Sequence, residues 1–181
     1  MKKTILGITG EIASGKGTVA EYLIKEYNAT SYRFSTMLRD VARRMYLEET
    51  RENLQKLSTI FRENFNDNLL SMVICKDVKA DDNNLIVIDG VRRKADIEFL
   101  KKLSGFKLVY MEADMQTRYE RIIKRGENLD DNNKTLKEFE KDHQREAELQ
   151  IKDLKNKADI IIDNNGTFED LYKQVDEIIL K

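Results

Sequence analysis

The chain has 181 residues, 40% hydrophobic and 36% charged, with 32 basic residues against 33 acidic ones. A chain of this length buries roughly 70% of its unfolded surface, so neither disulfides nor a structural metal is required; the one cysteine, Cys75, excludes an internal disulfide and reads as a buried thiol. A net charge of −1 excludes a general nucleic-acid or membrane-surface binder, and no run approaches the ~20 apolar residues of a membrane span. The expectation is a soluble, cytoplasmic, single domain over residues 1–181, with Met1-Lys2-Lys3 not opening a signal peptide.

Thr4-Ile5-Leu6-Gly7-Ile8 reads as a strand and Lys16 to Tyr27 as the helix after it. Between them, Gly10-Glu11-Ile12-Ala13-Ser14-Gly15-Lys16-Gly17-Thr18 has the glycine spacing and lysine of a phosphate-binding loop. The glycines let backbone N–H groups curl toward a polyphosphate, and the helix start adds favourable potential. Lys16 would reach the terminal phosphates; Gly17 fills the usual Ser/Thr position and Thr18 follows one residue later.

Ser31 to Phe34 is a weak second strand, and two or three helices fill Met37 to Lys79, with Leu54, Leu57, Ile60 and Phe61 at helical spacing. Leu85-Ile86-Val87-Ile88 is a continuous apolar run, typical of a strand buried on both faces, and it ends in Asp89-Gly90-Val91-Arg92-Arg93. A helix over Ala95 to Leu103, a strand over Lys107 to Met111 and a helix over Gln116 to Arg125 come next. Then follow a polar loop over Gly126 to Lys134, a charged helix from about Thr135 to Asn156, a strand over Asp159 to Ile162, and a closing helix over Phe168 to Leu180. Five strands separated by helices predict an α/β three-layer fold, a parallel sheet with helices on both faces. Ligands bind beyond the carboxyl ends of such strands, where each of these motifs falls.

The Gly-Lys-Gly-Thr ending of the loop resembles the nucleoside monophosphate kinases, adenylate kinase above all. Ser35-Thr36-Met37-Leu38-Arg39 resembles a shortened form of that family's acceptor motif, Ser-Thr-Gly-Asp-x-Leu-Arg, and Asp89-Gly90-Val91-Arg92-Arg93 resembles its Asp-Gly-Phe-Pro-Arg. Arg121 and Arg125, four apart, match two arginines where the adenylate kinase lid begins. Ala158 to Thr167 is similar to the close of dephospho-coenzyme A kinases, where a loop passes near the adenine of ATP; their aspartate after the second strand is absent here.

The resemblance implies a P-loop kinase fold with a helical acceptor cap at about 37–79 and a short lid at about 126–145. It assigns ATP to Gly10, Ala13, Ser14, Gly15, Lys16, Gly17, Thr18, Arg121 and Asn165, and Mg²⁺ to Thr18 and, through water, Asp89. The acceptor falls to Thr36, Arg39, Arg92, Arg93 and Arg145, with Arg92 or Arg93 as the phosphate clamp, and catalysis to Lys16, Arg92, Arg121 and Arg125. Phosphoryl transfer asks for converging cations rather than a general base, which is what these residue types supply. Arg51, Asn53, Gln55, Arg62 and Asn68 in the cap could read a base but are expected at the surface, as is His143; Arg118 is an outsider on a neighbouring helix face.

The function implied is transfer of the γ-phosphate of ATP to a nucleoside or deoxynucleoside monophosphate, by a monomer or weak dimer that binds neither membrane nor nucleic acid generally. Two alternatives stay open: a dephospho-coenzyme A kinase-like enzyme, and an ATPase or switch acting with a protein or ribonucleoprotein partner.

Overall fold

The computed structural model describes residues 3–125, 135–142 and 146–180. The calls on Arg145, on His143 and on the loop 126–134 lie outside the described residues.

Five strands form one parallel sheet: β1 (Thr4–Gly10), β2 (Thr30–Arg33), β3 (Leu85–Asp89), β4 (Phe106–Glu112) and β5 (Ile160–Asp163), in the order β2-β3-β1-β4-β5. The expected α/β architecture is therefore present. Alternate residues of the central strands feed opposite faces, as a period of two requires. Ile5, Ile86, Ile88 and Leu108 enter one core. Leu6, Ile8, Leu85, Val87, Val109 and Met111 enter the other. Continuous apolar runs arise because both faces are covered.

The second core is closed by α1 (Lys16–Tyr27) and α9 (Phe168–Ile179). Asp176 of α9 accepts hydrogen bonds from the hydroxyls of Tyr22 and Tyr27 at 2.8 and 2.7 Å, locking the two helices together. The first core is closed by α2 (Phe34–Arg44), α3 (Arg51–Asn64), α4 (Leu69–Ala80) and α8 (Glu146–Lys155), with the short α5 (Lys94–Ile97). Cys75 is buried there as expected.

The helix expected over Ala95 to Leu103 is instead α5 followed by a single 3-10 turn at Leu100–Lys102. Asp96 is the third residue of α5 and caps its start. Its carboxylate accepts from the backbone N–H of Arg92 and Arg93 and pairs with Arg62, so it belongs to the preceding turn. Beyond β4 come α6 (Met115–Arg125) and α7 (Leu136–Asp142). Phe139 of α7 is fully buried against Tyr119 of α6. No helix among the described residues is long and apolar enough to cross a membrane.

The order β3-β1-β4 is what positions the site. The loop leaving β1 emerges between two strands whose chains run to opposite sides of the sheet, the crevice in which ligands of such folds bind.

Candidate functional site

β1 delivers the chain to Gly10, and the loop turns through Ala13 at φ 60° and Gly15 at φ 98° before α1 begins at Lys16. A Cβ at Gly15 would lie 2.2 Å from Asn164 Nδ2, so glycine is needed both for its left-handed backbone and for this close approach. Lys16 Nζ donates to the carbonyls of Gly10 and Glu11, each at 2.8 Å, folding its ammonium back over the loop. Ala13, Gly17 and Thr18 are half-buried in the same turn.

Side chains from distant elements brace this loop. Asn164, just past β5 and buried, donates from Nδ2 to Ser14 O at 2.9 Å. Its own carbonyl accepts from Arg121 of α6 at 2.9 Å. Arg118, one turn earlier and 3% exposed, donates to Ala113 O and Ile12 O and pairs with Glu11 Oε2 at 3.2 Å. The expectation that Arg118 is an outsider is thus corrected: it is a buried strut under the phosphate loop. The three-residue step between Arg118 and Arg121 puts both on one side of α6.

Among the described residues, the buried side-chain polar atoms left without a hydrogen-bond partner are Ser14 Oγ, one Arg121 terminal nitrogen and Glu11 Oε1. All three belong to this one cluster. Buried polar groups are almost always satisfied, so the cluster is an exception, although Glu11 Oε1 has Lys152 Nζ 3.9 Å away. Burial pushes the Arg121 guanidinium below its ordinary pKa, the direction expected of a cation held out of water.

Across β1, Asp89 ends β3 opposite Ile8, and Thr9 Oγ1 donates to Val91 O at 2.8 Å, tying the phosphate loop's strand to the Asp89–Arg93 turn. Asp89 is 8% exposed and pairs with Arg33 at the end of β2. No group of three or more His, Cys, Asp or Glu among the described residues could cage a metal. Asp89 and Thr18 supply oxygen donors only, and few of them, which fits Mg²⁺ because that ion keeps most of its waters and completes its shell on substrate phosphates.

On the β2 side of the sheet, Thr36 is exposed on the first turn of α2. Arg39 donates to Glu49 Oε2 at 2.9 Å, and Arg43, one turn on, reaches Glu49 Oε1 at 2.5 Å. One carboxylate thus sits between two guanidiniums. Arg92 is exposed and Arg93 half-buried, and their side chains have no carboxylate within ion-pair distance among the described residues. Their turn is fixed from behind by Asp96, 2% exposed, whose other oxygen takes Arg62 at 2.6 Å. Arg62, expected at the surface, is buried, with its side chain 8% exposed, and anchors α3 to this turn. Asn53 spends its side chain on Glu48 O.

Residues 9–139 match the model of the AAA_17 family, described as an AAA domain. A UPF0200 protein of Saccharolobus islandicus is 31% identical over 180 residues, covering 97% of this chain and 92% of that protein. The chain belongs to this family. A UPF0200 protein of Methanocaldococcus jannaschii is 26% identical, covering 97% of the chain and 88% of the relative. A longer UPF0200/UPF0201 protein of Archaeoglobus fulgidus is 27% identical, and the chain spans 56% of its length. Among solved structures, a shikimate kinase of Bacteroides thetaiotaomicron shares the fold at TM-score 0.65, with 14% identity over 98% of this chain and 99% of that one. The Thermus thermophilus protein TT1252 superposes at TM-score 0.60, with 16% identity over 99% of this chain and 98% of that one. The architecture is that of a P-loop kinase.

The expectation for Asn165 concerned a loop near the adenine; the side chain that lies against the phosphate loop is that of its neighbour, Asn164. Asn165 is exposed and accepts from Asp114 N–H. Arg33, Glu49 and Arg118 were also missed as parts of the site. Arg33 had a legible signal, a charged residue at the carboxyl end of a parallel strand; Glu49 had none, because its role depends on how the α2–α3 connection folds back. Arg125 ends α6, four residues beyond Arg121.

Proposed function

We propose that the chain is an ATP-dependent kinase that transfers the γ-phosphate of ATP to a nucleoside or deoxynucleoside monophosphate. The observation that carries this reading is the buried, unsatisfied pair of Ser14 Oγ and an Arg121 terminal nitrogen at the phosphate loop, facing across β1 a group of cations, Arg33, Arg39, Arg92 and Arg93. One group suits a donor polyphosphate and the other an acceptor phosphate.

Lys16 and the loop amides hold the β- and γ-phosphates; to do so Lys16 exchanges the carbonyls of Gly10 and Glu11 for phosphate oxygens. Arg121, and Arg125 from the same helix, neutralise charge on the transferring group. Arg39 and Arg92 or Arg93 hold the acceptor phosphate, with Thr36 beside it and Arg145 arriving from the lid. Thr18 and Asp89 would hold Mg²⁺, which supplies charge neutralisation between the phosphates when bound. An acceptor phosphate oxygen bonds to the γ-phosphorus as the bond to ADP breaks, the electron pair leaving on ADP. No proton need be moved, because the acceptor is already an oxyanion.

The test is ADP release from Mg·ATP against each ribo- and deoxynucleoside monophosphate and dephospho-coenzyme A, with Lys16→Ala as control. Rapid turnover with one monophosphate, reduced at least about 10³-fold in Lys16→Ala, is the expected result. Turnover with dephospho-coenzyme A alone would move the acceptor to that alternative. ADP release that ignores every acceptor would overturn the kinase in favour of an ATPase or switch.

A further inference from the structure

Arg33 is the last residue of β2, and the sheet register sets it beside Asp89. Its terminal nitrogen lies 2.8 Å from Asp89 Oδ2. The two partners are unequally placed: the Asp89 side chain is 11% exposed and that of Arg33 is 55% exposed. The carboxylate is fixed at the carboxyl end of β3, while the guanidinium reaches it from solvent.

Arg33 also stands between the two halves of the site. One strand away, Asp89 borders the phosphate loop's strand; one residue on, α2 begins and carries Thr36 and Arg39. Arg33 is the N-cap of α2 and forms no side-chain cap, and the helix has no acidic residue in its first turn. A cation here is of no use to a neutral alcohol acceptor, whose proton would need a carboxylate with a free oxygen. It suits an acceptor that arrives as an anion.

We infer that Arg33 is an acceptor-phosphate residue, parked on Asp89 while the site is empty and transferred to the acceptor's phosphate when it binds, so that the site selects phosphate monoesters over alcohols. The inference rests on the kinase reading and deepens it. Asp89 and the acceptor phosphate then compete for one guanidinium, and removing the charge of Asp89 should tighten acceptor binding even without ATP.

The experiment is titration calorimetry of the full chain, free of Mg²⁺ and ATP, with the eight common ribo- and deoxynucleoside monophosphates and their parent nucleosides as probes. Wild type should bind one monophosphate and its nucleoside at least about tenfold more weakly. Arg33→Gln should lose about tenfold in affinity for that monophosphate, with Mg-free ATP affinity within about twofold of wild type, and Arg33→Lys should fall between them. Asp89→Asn should bind the monophosphate about threefold more tightly, and that gain should vanish in the Arg33→Gln background. A purely structural ion pair would not produce this coupling. If wild type binds no monophosphate, the nucleoside monophosphate reading fails and takes this inference with it. If it binds one and Arg33→Gln binds it equally well, or Asp89→Asn gains nothing, the inference alone is overturned.

Discussion

Arginines flank the phosphate loop on both sides, but their partners differ. Toward β4 and β5, Arg118 is bound by the carbonyls of Ala113 and Ile12 and by the Glu11 carboxylate, while Arg121 is bound by the carbonyl of Asn164. A carbonyl orients a guanidinium without cancelling its charge, so on this side Arg121 keeps its charge and one nitrogen without a hydrogen-bond partner. Toward β2 and β3, Arg33 and Arg39 are each paired with a carboxylate of the chain, Asp89 and Glu49, and remain substantially exposed. On the proposed kinase reading, the donor half is built in advance, and in the acceptor half a substrate anion has to replace the internal anions Asp89 and Glu49. Losing a brace should therefore damage the donor half, whereas losing a carboxylate should open the acceptor half.

The largest effects should come from the two buried arginines, one on each side. Arg118→Met leaves Glu11 without its strong partner, and Arg62→Met does the same to Asp96. Breaking a buried pair from one end costs about 3–5 kcal/mol, which for a chain of this size lowers the melting temperature by roughly 10 °C. The two variants should part in function. Arg118→Met should weaken ATP binding and spare the acceptor, while Arg62→Met, loosening the turn that carries Arg92 and Arg93, should raise the acceptor KM and spare ATP. Calorimetric melting with separate ATP and acceptor titrations checks both; equal damage to both ligands in either variant would break the comparison.

Asn164→Ala is the middle case. It removes the amide that supports Ser14 and leaves Arg121 held by the backbone carbonyl of residue 164 alone. ATP affinity should drop by about tenfold, in line with loss of a buried hydrogen bond at a ligand-binding loop, and acceptor affinity should stay level. An Asn165→Ala control should leave ATP affinity near wild type, which separates the two neighbouring asparagines directly.

That pair shows what the sequence could reveal. The strands and the phosphate loop were legible because short continuous apolar runs and a glycine-lysine spacing are local signals, each carried by its own segment. Lys16 and Asp89 follow from position at a strand's end. Asn164 against Asn165 was not legible, since which side chain turns inward depends on a one-residue register at the end of β5. Arg118 and Arg62 were misplaced for a related reason: in a chain with 36% charged residues, a helical arginine is ordinarily solvated. Only the tertiary fold brings Glu11 and Asp96 to meet them. Conversely, the helix expected over Ala95 to Leu103 breaks after Ile97 and gives way to a 3-10 turn at Leu100–Lys102.

Glu49 offers the finest test. Its pKa is held below the ordinary carboxylate range, first by the hydrogen bond from Arg43 and then by that from Arg39. A carboxylate with a depressed folded pKa contributes stability above its unfolded value and loses it as the pH falls through the folded one, so at pH 7 the pairing is complete. Because these side chains are well exposed, Glu49→Gln should leave the melting temperature nearly unchanged. It should lower the acceptor KM about threefold, with the KM for ATP unaltered, because Arg39 no longer has to exchange one anion for another. As the pH falls below the ordinary carboxylate range the advantage over wild type should shrink, since wild-type Glu49 then loses its charge too, and ionisation of the substrate cancels between the two proteins. A Glu49→Gln variant that bound acceptor more weakly would mean that Glu49 orients Arg39 for the substrate instead of occupying it, and the two sides of the loop would then be built on the same plan.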